Sequence, residues 1–338
     1  MKKTLFLIFS ILLLIGCNTE KENNIHEYYG EALGTTYSVK YFSNEELQFE
    51  KSLDSILDDI NSSMSTYITK SDISKINRGD TTVEVDDNFI KVFNASEKIF
   101  KESNGFFDPT VGVLVNAYGF GPGKALKAID SVKLDSLRKL VGFDKIRIQS
   151  DKTIKKENPA IYIDFNAIAK GYTIDVIAEY LESQDVENYL VELGGELRAK
   201  GKNLDNDLEW IVGIDDPDQE EGEKRKLYAK LKLVNAAMAT SGNYRKYRTD
   251  SLTGQKYVHT INPKTAKAEK SNILSASVIA ENCMLADGYA TAFMALGLER
   301  TKSTLEKLEG VEVYILYSTE NGGMEIFQTP GFQENIVE

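Results

Sequence analysis

The chain is short of the residues that most often announce a mechanism. Its 338 positions hold two cysteines, two histidines, one tryptophan and six prolines. Cys17 and Cys283 cannot form a disulfide framework, and with only His26 and His259 beside them a cysteine-rich zinc site is excluded. Positive charge is scarce too: 40 Lys and Arg against 52 Asp and Glu give a formal charge of −12. Sequence-independent nucleic-acid binding needs a basic face, so no nucleic acid is expected as a partner. A ligand bearing phosphates must then be neutralised by a local site or a metal. Internal repeats and low-complexity runs are absent after Tyr28. The one apolar run, residues 5–15, is too short to cross a bilayer as a stable helix.

What precedes and follows that run gives it a meaning. Met1-Lys2-Lys3 is a short basic start, and the run ends in Leu14-Ile15-Gly16-Cys17, which resembles a lipobox. Residues 1–16 are therefore expected to be a lipoprotein signal peptide, and Cys17 a lipidated N-terminus. Residues 17–30 read as that lipidated end and its tether, and 31–330 as one domain. The expected location is extracytoplasmic, lipid-anchored to a bacterial membrane, either the periplasm-facing inner membrane or the outer membrane. Cys283, left alone, reads as a small buried apolar residue.

Periodicity outlines the domain. Leu53, Ile56, Leu57 and Ile60, and later Phe89, Val92, Phe93, Ile99 and Phe100, recur at helical spacing. Residues 160–164 read as a strand feeding a helix over about 167–181. Strands are expected at 189–192, 197–199, 227–234, 273–280 and 311–317, and around Trp210, Val212 and Ile214. Helices are expected at about 285–298 and 301–308, with an exposed acidic connection over 215–222. This irregular order predicts an α+β fold, a single domain of two packed lobes with mixed strands and helices.

Seven clusters set glycine, small polar and acidic residues inside apolar surroundings, mixtures that cost stability unless function requires them. They are 34–37, 64–67, 105–112, 164–172, 191–196, 239–245 and 283–291. Asp287 and Thr291 are four apart on a predicted helix, so their oxygens share one face and suit a hard cation. The same spacing also fits an N-terminal cap and a threonine facing a neighbour. Asp164, the small residues after it and Lys170 suit an anionic or hydroxyl-rich ligand, or a plain capped strand-to-helix turn. This is not a phosphate-binding P-loop, because the glycine spacing and the Lys-Ser/Thr ending are missing. His259 can take a proton near neutrality, and beside the Asn262-Pro263 turn it also fits a structural role.

In this order the clusters closely resemble the FAD:protein FMN transferase family, the ApbE flavin-trafficking lipoproteins, from Gly34 to about Leu298. Most specific are 105–112, 164–172, Gly194 to Arg198, Thr240-Ser241-Gly242 with Tyr244-Arg245, and Ala286-Asp287 with Ala290-Thr291. The resemblance implies that FAD is the substrate, that FMN is joined to a Thr or Ser of an acceptor protein such as a redox-pump subunit, and that AMP leaves. It implies Mg²⁺ as cofactor, held by Asp287, Thr291 and the Ala167 carbonyl. It implies an FAD site lined by Leu33, Tyr67, Phe106, Phe107, Asp108, Asp164, Lys170, Ile261 and Ala290, with stacking by Tyr67 and Phe107, and His259 as the base. A Mg²⁺-dependent FAD pyrophosphatase and a non-catalytic flavin-binding lipoprotein are the alternatives. Two departures stand out: Ala266 and Asn166 occupy places where relatives often have glycine.

Overall fold

The computed structural model describes residues 24–126, 129–216, 226–242, 247–249, 256–258, 260–268 and 271–337. At its centre lies an eight-stranded sheet, antiparallel throughout. Its strands are Asn24–Ala32, Thr35–Ser43, Tyr189–Leu193, Glu196–Lys200, Ala236–Gly242, Ile273–Ala280, Glu312–Ser318 and Met324–Gln328, in that spatial order. Strand order therefore follows chain order from edge to edge. Helices and strands are mixed as expected of an α+β fold.

Successive strand residues point to opposite faces, so each inner strand serves two cores. Ala276, Val278 and Ala280 sit among the helices, whereas Ile279 faces a second sheet. On the helical face lie Phe49–Met64, Asp87–Glu102, Ala169–Ser183 and Cys283–Leu296. On the other face, a four-stranded sheet built from Leu227–Leu233, Leu208–Asp215 and two short strands sets Trp210, Val212 and Leu231 against Phe42, Leu197 and Met238.

Local signals explain where the helices start. Asp86 accepts from the Phe89 amide at 2.8 Å and opens the Asp87–Glu102 helix, a cap that stabilises by about 1 kcal/mol. Asn282 does the same for Cys283–Leu296 through the Leu285 amide at 2.9 Å. That last helix is apolar nearly all round, which fits its burial between the sheet and three other helices.

Three stretches differ from the sequence reading. Residues 24–30, read as tether, form the edge strand, paired in full register with Thr35–Ser43; His26 and Tyr28 stack on Tyr41, at 4.9 and 6.0 Å between ring centres. Polar neighbours hide this strand's pattern, and its order comes from a partner later in the chain. Residues 160–164 alternate like a strand yet join no sheet; only Tyr162 bridges, to Val111. The fold also continues past 330, through the buried Phe332 to the Ile336–Val337 strand. Cys17, His259, Tyr244, Arg245 and most of the acidic connection lie outside the described residues. Among the described residues, no helix is long and apolar enough to cross a membrane.

Candidate active site

Contacts between named residues bring all seven clusters together. Gly194 donates its amide to the Thr36 carbonyl at 3.0 Å, and Tyr37 pairs with Leu193, so 34–37 adjoins 191–196. Glu196 receives Lys170 at 2.6 Å, which ties that hairpin to 164–172. The Gly171 amide donates to Asp287 Oδ2 at 3.1 Å, and the Lys170 ammonium stands 3.7 Å from the same oxygen. Thr291 lies 3.4 Å from Ser241, joining the helix to 239–242. Asn166 Nδ2 reaches Thr66 at 3.4 Å, and the Asp164 amide donates to the Pro109 carbonyl at 2.8 Å.

The glycines permit the closest of these approaches. A Cβ on Gly171 would lie 2.3 Å from the Cys283 carbonyl oxygen, and one on Gly112 would lie 2.6 Å from the Tyr162 ring and 2.9 Å from its carbonyl oxygen. Backbone meets backbone at both places, so a side chain has nowhere to go.

Lys170, Glu196 and Asp287 form a nearly buried charge cluster of two acids and one base. Burial raises the Asp287 carboxyl, and Lys170 opposes that rise. Burial pushes Glu196 up to about 7, again against the pull of Lys170 and with help from Asp287. Burial pulls the Lys170 ammonium down, but the two carboxylates more than reverse this, so it stays charged. Glu196 Oε2 is buried and has no hydrogen-bond partner among the described residues. The cluster thus holds spare negative charge and a spare acceptor in a place of low dielectric, where a cation is favoured.

The oxygens near it are hard donors. Among the described residues no three His, Cys, Asp or Glu side chains gather into a metal centre. A cation here would instead draw on one carboxylate, Asp287, the Thr291 hydroxyl and the Ala167 carbonyl. That carbonyl receives no donor among the described residues, because the Gly171 amide is turned to Asp287. Few protein oxygens, leaving room for ligand phosphates, are what Mg²⁺ commonly accepts.

Around this centre the sequence candidates fall into different roles. Tyr67 is 61% exposed and offers a ring to a ligand, whereas Phe107 is 3% exposed, with its ring in the core. Stacking through Phe107 is therefore not available, and only its main chain can meet a ligand. Phe106 is half-buried under the Arg300 guanidinium, 5.1 Å from the ring centre, beside a cavity of about 260 Å³. Asp108 is turned inward: it accepts from the Thr110 amide and hydroxyl at 2.8 and 2.6 Å, and burial pushes it up to about 6. Asp164, raised to about 6 by burial, accepts from the Asn166 amide at 2.8 Å. Ile261 and Ala290 are buried, and Leu33 sits in the two-residue turn that joins the first two strands. Glu196 and Ser241 were visible only as members of clusters. Their partners, Lys170 and Thr291, are 26 and 50 positions away, beyond any spacing rule.

Comparison with known proteins agrees with this architecture. The ApbE family pattern matches residues 33–315. A protein from Haemophilus influenzae named FAD:protein FMN transferase is 36% identical, over 95% of each chain. One of the same name from Vibrio cholerae is 34% identical, over 96% of each. Among solved structures, the flavin transferase ApbE from Vibrio cholerae superposes with a TM-score of 0.81 at 31% identity, covering 93% of this chain and 99% of that one. The apo flavinyl transferase ApbE of Pseudomonas stutzeri gives 0.80 at 28% identity, covering 93% and 97%. The chain belongs to the ApbE family and is a transferase enzyme.

Proposed function

We propose that this enzyme cleaves FAD at its pyrophosphate and joins FMN, through its phosphate, to a Thr or Ser hydroxyl of an exported or membrane protein, releasing AMP with Mg²⁺ as cofactor. The observation that carries the reading is the meeting of Asp287, Lys170 and Glu196, with Thr291 one helical turn beyond Asp287 and beside Ser241, where four of the seven clusters join. In this reading the acceptor oxygen bonds to the phosphorus of the FMN half, the bond to the AMP phosphate breaks, and the hydroxyl proton passes to His259. Mg²⁺, when bound, offsets the charge of the pyrophosphate and of the leaving phosphate. Asp287, Thr291 and the Ala167 carbonyl would hold it, with Lys170 opposing the rise that burial imposes on the Asp287 carboxyl. Leu33, Tyr67, Phe106, Asp164, Ile261 and Ala290 border the FAD, together with Lys170, Asp108 and the main chain of Phe107.

A lipid on Cys17 would hold the enzyme at the membrane surface where such acceptors stand, for example the extracytoplasmic segments of redox-pump subunits. The test is the intact mass of a threonine-bearing acceptor domain after incubation with FAD, Mg²⁺ and the chain lacking residues 1–17. An added FMN mass is expected, abolished by EDTA. Asp287→Ala should lower the rate at least ~100-fold, since metal charge stabilisation amounts to several kcal/mol. Metal-dependent AMP without an adduct would mean a hydrolase, and neither product would mean a flavin carrier.

A further inference from the structure

The helix that carries Asp287 and Thr291 starts against a second buried carboxylate. Asp175 accepts from the Cys283 amide at 2.9 Å and the Met284 amide at 2.8 Å, one with each oxygen. These amides have no partner within the helix, and the negative charge sits at the positive end of its dipole. Asp175 is held in turn by Arg198, Nη1 to Oδ1 at 2.9 Å, and Arg198 Nη2 reaches Glu182 at 3.2 Å. Glu182 also receives the Tyr189 hydroxyl at 2.6 Å.

The spacing makes this a ruler between three elements. On Ala169–Ser183, Gly171 and Asp175 are one turn apart and face the same end of the partner helix. Gly171 gives its amide to Asp287, and Asp175 takes those of Cys283 and Met284. On the strand Glu196–Lys200, Glu196 and Arg198 share a face, the first bound to Lys170 and the second to Asp175. A slip of the Asp287 helix by one residue, about 1.5 Å, would break its bonds to Gly171 and Asp175, while the strand's bonds hold Lys170 and Asp175 in place.

We propose that Asp175 and Arg198 are positioning residues that set the register of Asp287 and Thr291 against Ala167 and Lys170, and thereby the affinity for the divalent cation. The proposal rests on the metal reading above. Mn²⁺ alone, titrated into the full-length chain and followed by the free-ion EPR signal, tests both. Asp287→Ala should lose the binding seen in wild type. Asp175→Asn should weaken it roughly 10–100-fold, the range for groups that orient metal ligands, and raise the Mg²⁺ needed for half-maximal turnover by the same factor. The double variant Asp175→Asn/Arg198→Met leaves no unpaired buried charge, so it remains a folded comparison, and it should bind equally weakly. Leu231→Ala, in the far sheet, controls for stability lost elsewhere and should bind as wild type. If the Asp175 variants melt lower yet bind Mn²⁺ like Leu231→Ala, Asp175 is a helix cap only and the proposal is overturned. If Asp287→Ala binds as wild type, the metal reading falls and takes the proposal with it.

Discussion

Ala266 holds a backbone conformation that L side chains seldom adopt, with φ at 59°, and it is fully buried. The turn after His259 thus keeps its left-handed residue without the glycine, at a cost of about 1–2 kcal/mol. Removing the methyl would relieve that strain but forfeit roughly 1 kcal/mol of burial. Ala266→Gly is therefore expected to change stability by no more than about 1 kcal/mol, whereas Ala266→Val should lose several, as read by urea unfolding. A neutral Val variant would refute the strained assignment. Asn166 is the opposite case: it has an ordinary φ, so its departure from glycine needs no special backbone. Asp108 carries a pH signature. Burial lifts its carboxyl from 3.8 to about 6, so the folded state holds its proton over a range where the unfolded chain does not. Its contribution is full below about pH 4 and lost as pH rises through 6, a change of about 3 kcal/mol. Asp108→Asn, which keeps an acceptor for Thr110, should gain stability relative to wild type across that interval. A constant difference from pH 4 to 7 would contradict the shift.

At the scale of elements, Gly171 decides how closely two helices dock. An added Cβ would meet the Cys283 carbonyl carbon at 2.7 Å and Asp287 Cβ at 2.9 Å, and the former is main chain that cannot rotate away. Gly171→Ala should cost about 2–3 kcal/mol and displace Asp287, so melting temperature and flavin transfer should fall together. An alanine variant with wild-type melting and rate would mean that the helices have slack. Much of this scaffold was legible. Phe49–Met64, Asp87–Glu102 and Cys283–Leu296 announce themselves through apolar spacing and their surroundings, and the clusters stand out because small and acidic residues interrupt apolar segments. Less legible were the edge strand, whose polar residues mask its alternation, and residues 160–164, whose alternation arises without a ladder. The pairings Lys170 with Glu196 and Ser241 with Thr291 could not be read at all, since only the folded sheet brings them near.

At the scale of the molecule, the first strand belongs to the body. A version beginning at Glu31 would strip the cover from Tyr41 and Phe49, which Tyr28 packs at 6.0 and 4.6 Å, and would leave Thr35–Ser43 as a raw edge. It should melt lower and aggregate, while one beginning at Asn24 should not. Equal melting of the two would show the strand to be dispensable. The strand order has a consequence in time as well as in space. Because each strand of the central sheet docks beside the one that precedes it in that sheet, the sheet can lengthen from its first edge as the chain is released without threading, although Thr35–Ser43 must wait for Tyr189–Leu193. Asp287 and Thr291 arrive only with the sixth strand already behind them. A chain still being delivered is thus a growing scaffold without a reaction centre, and the capacity to react appears near the end of assembly.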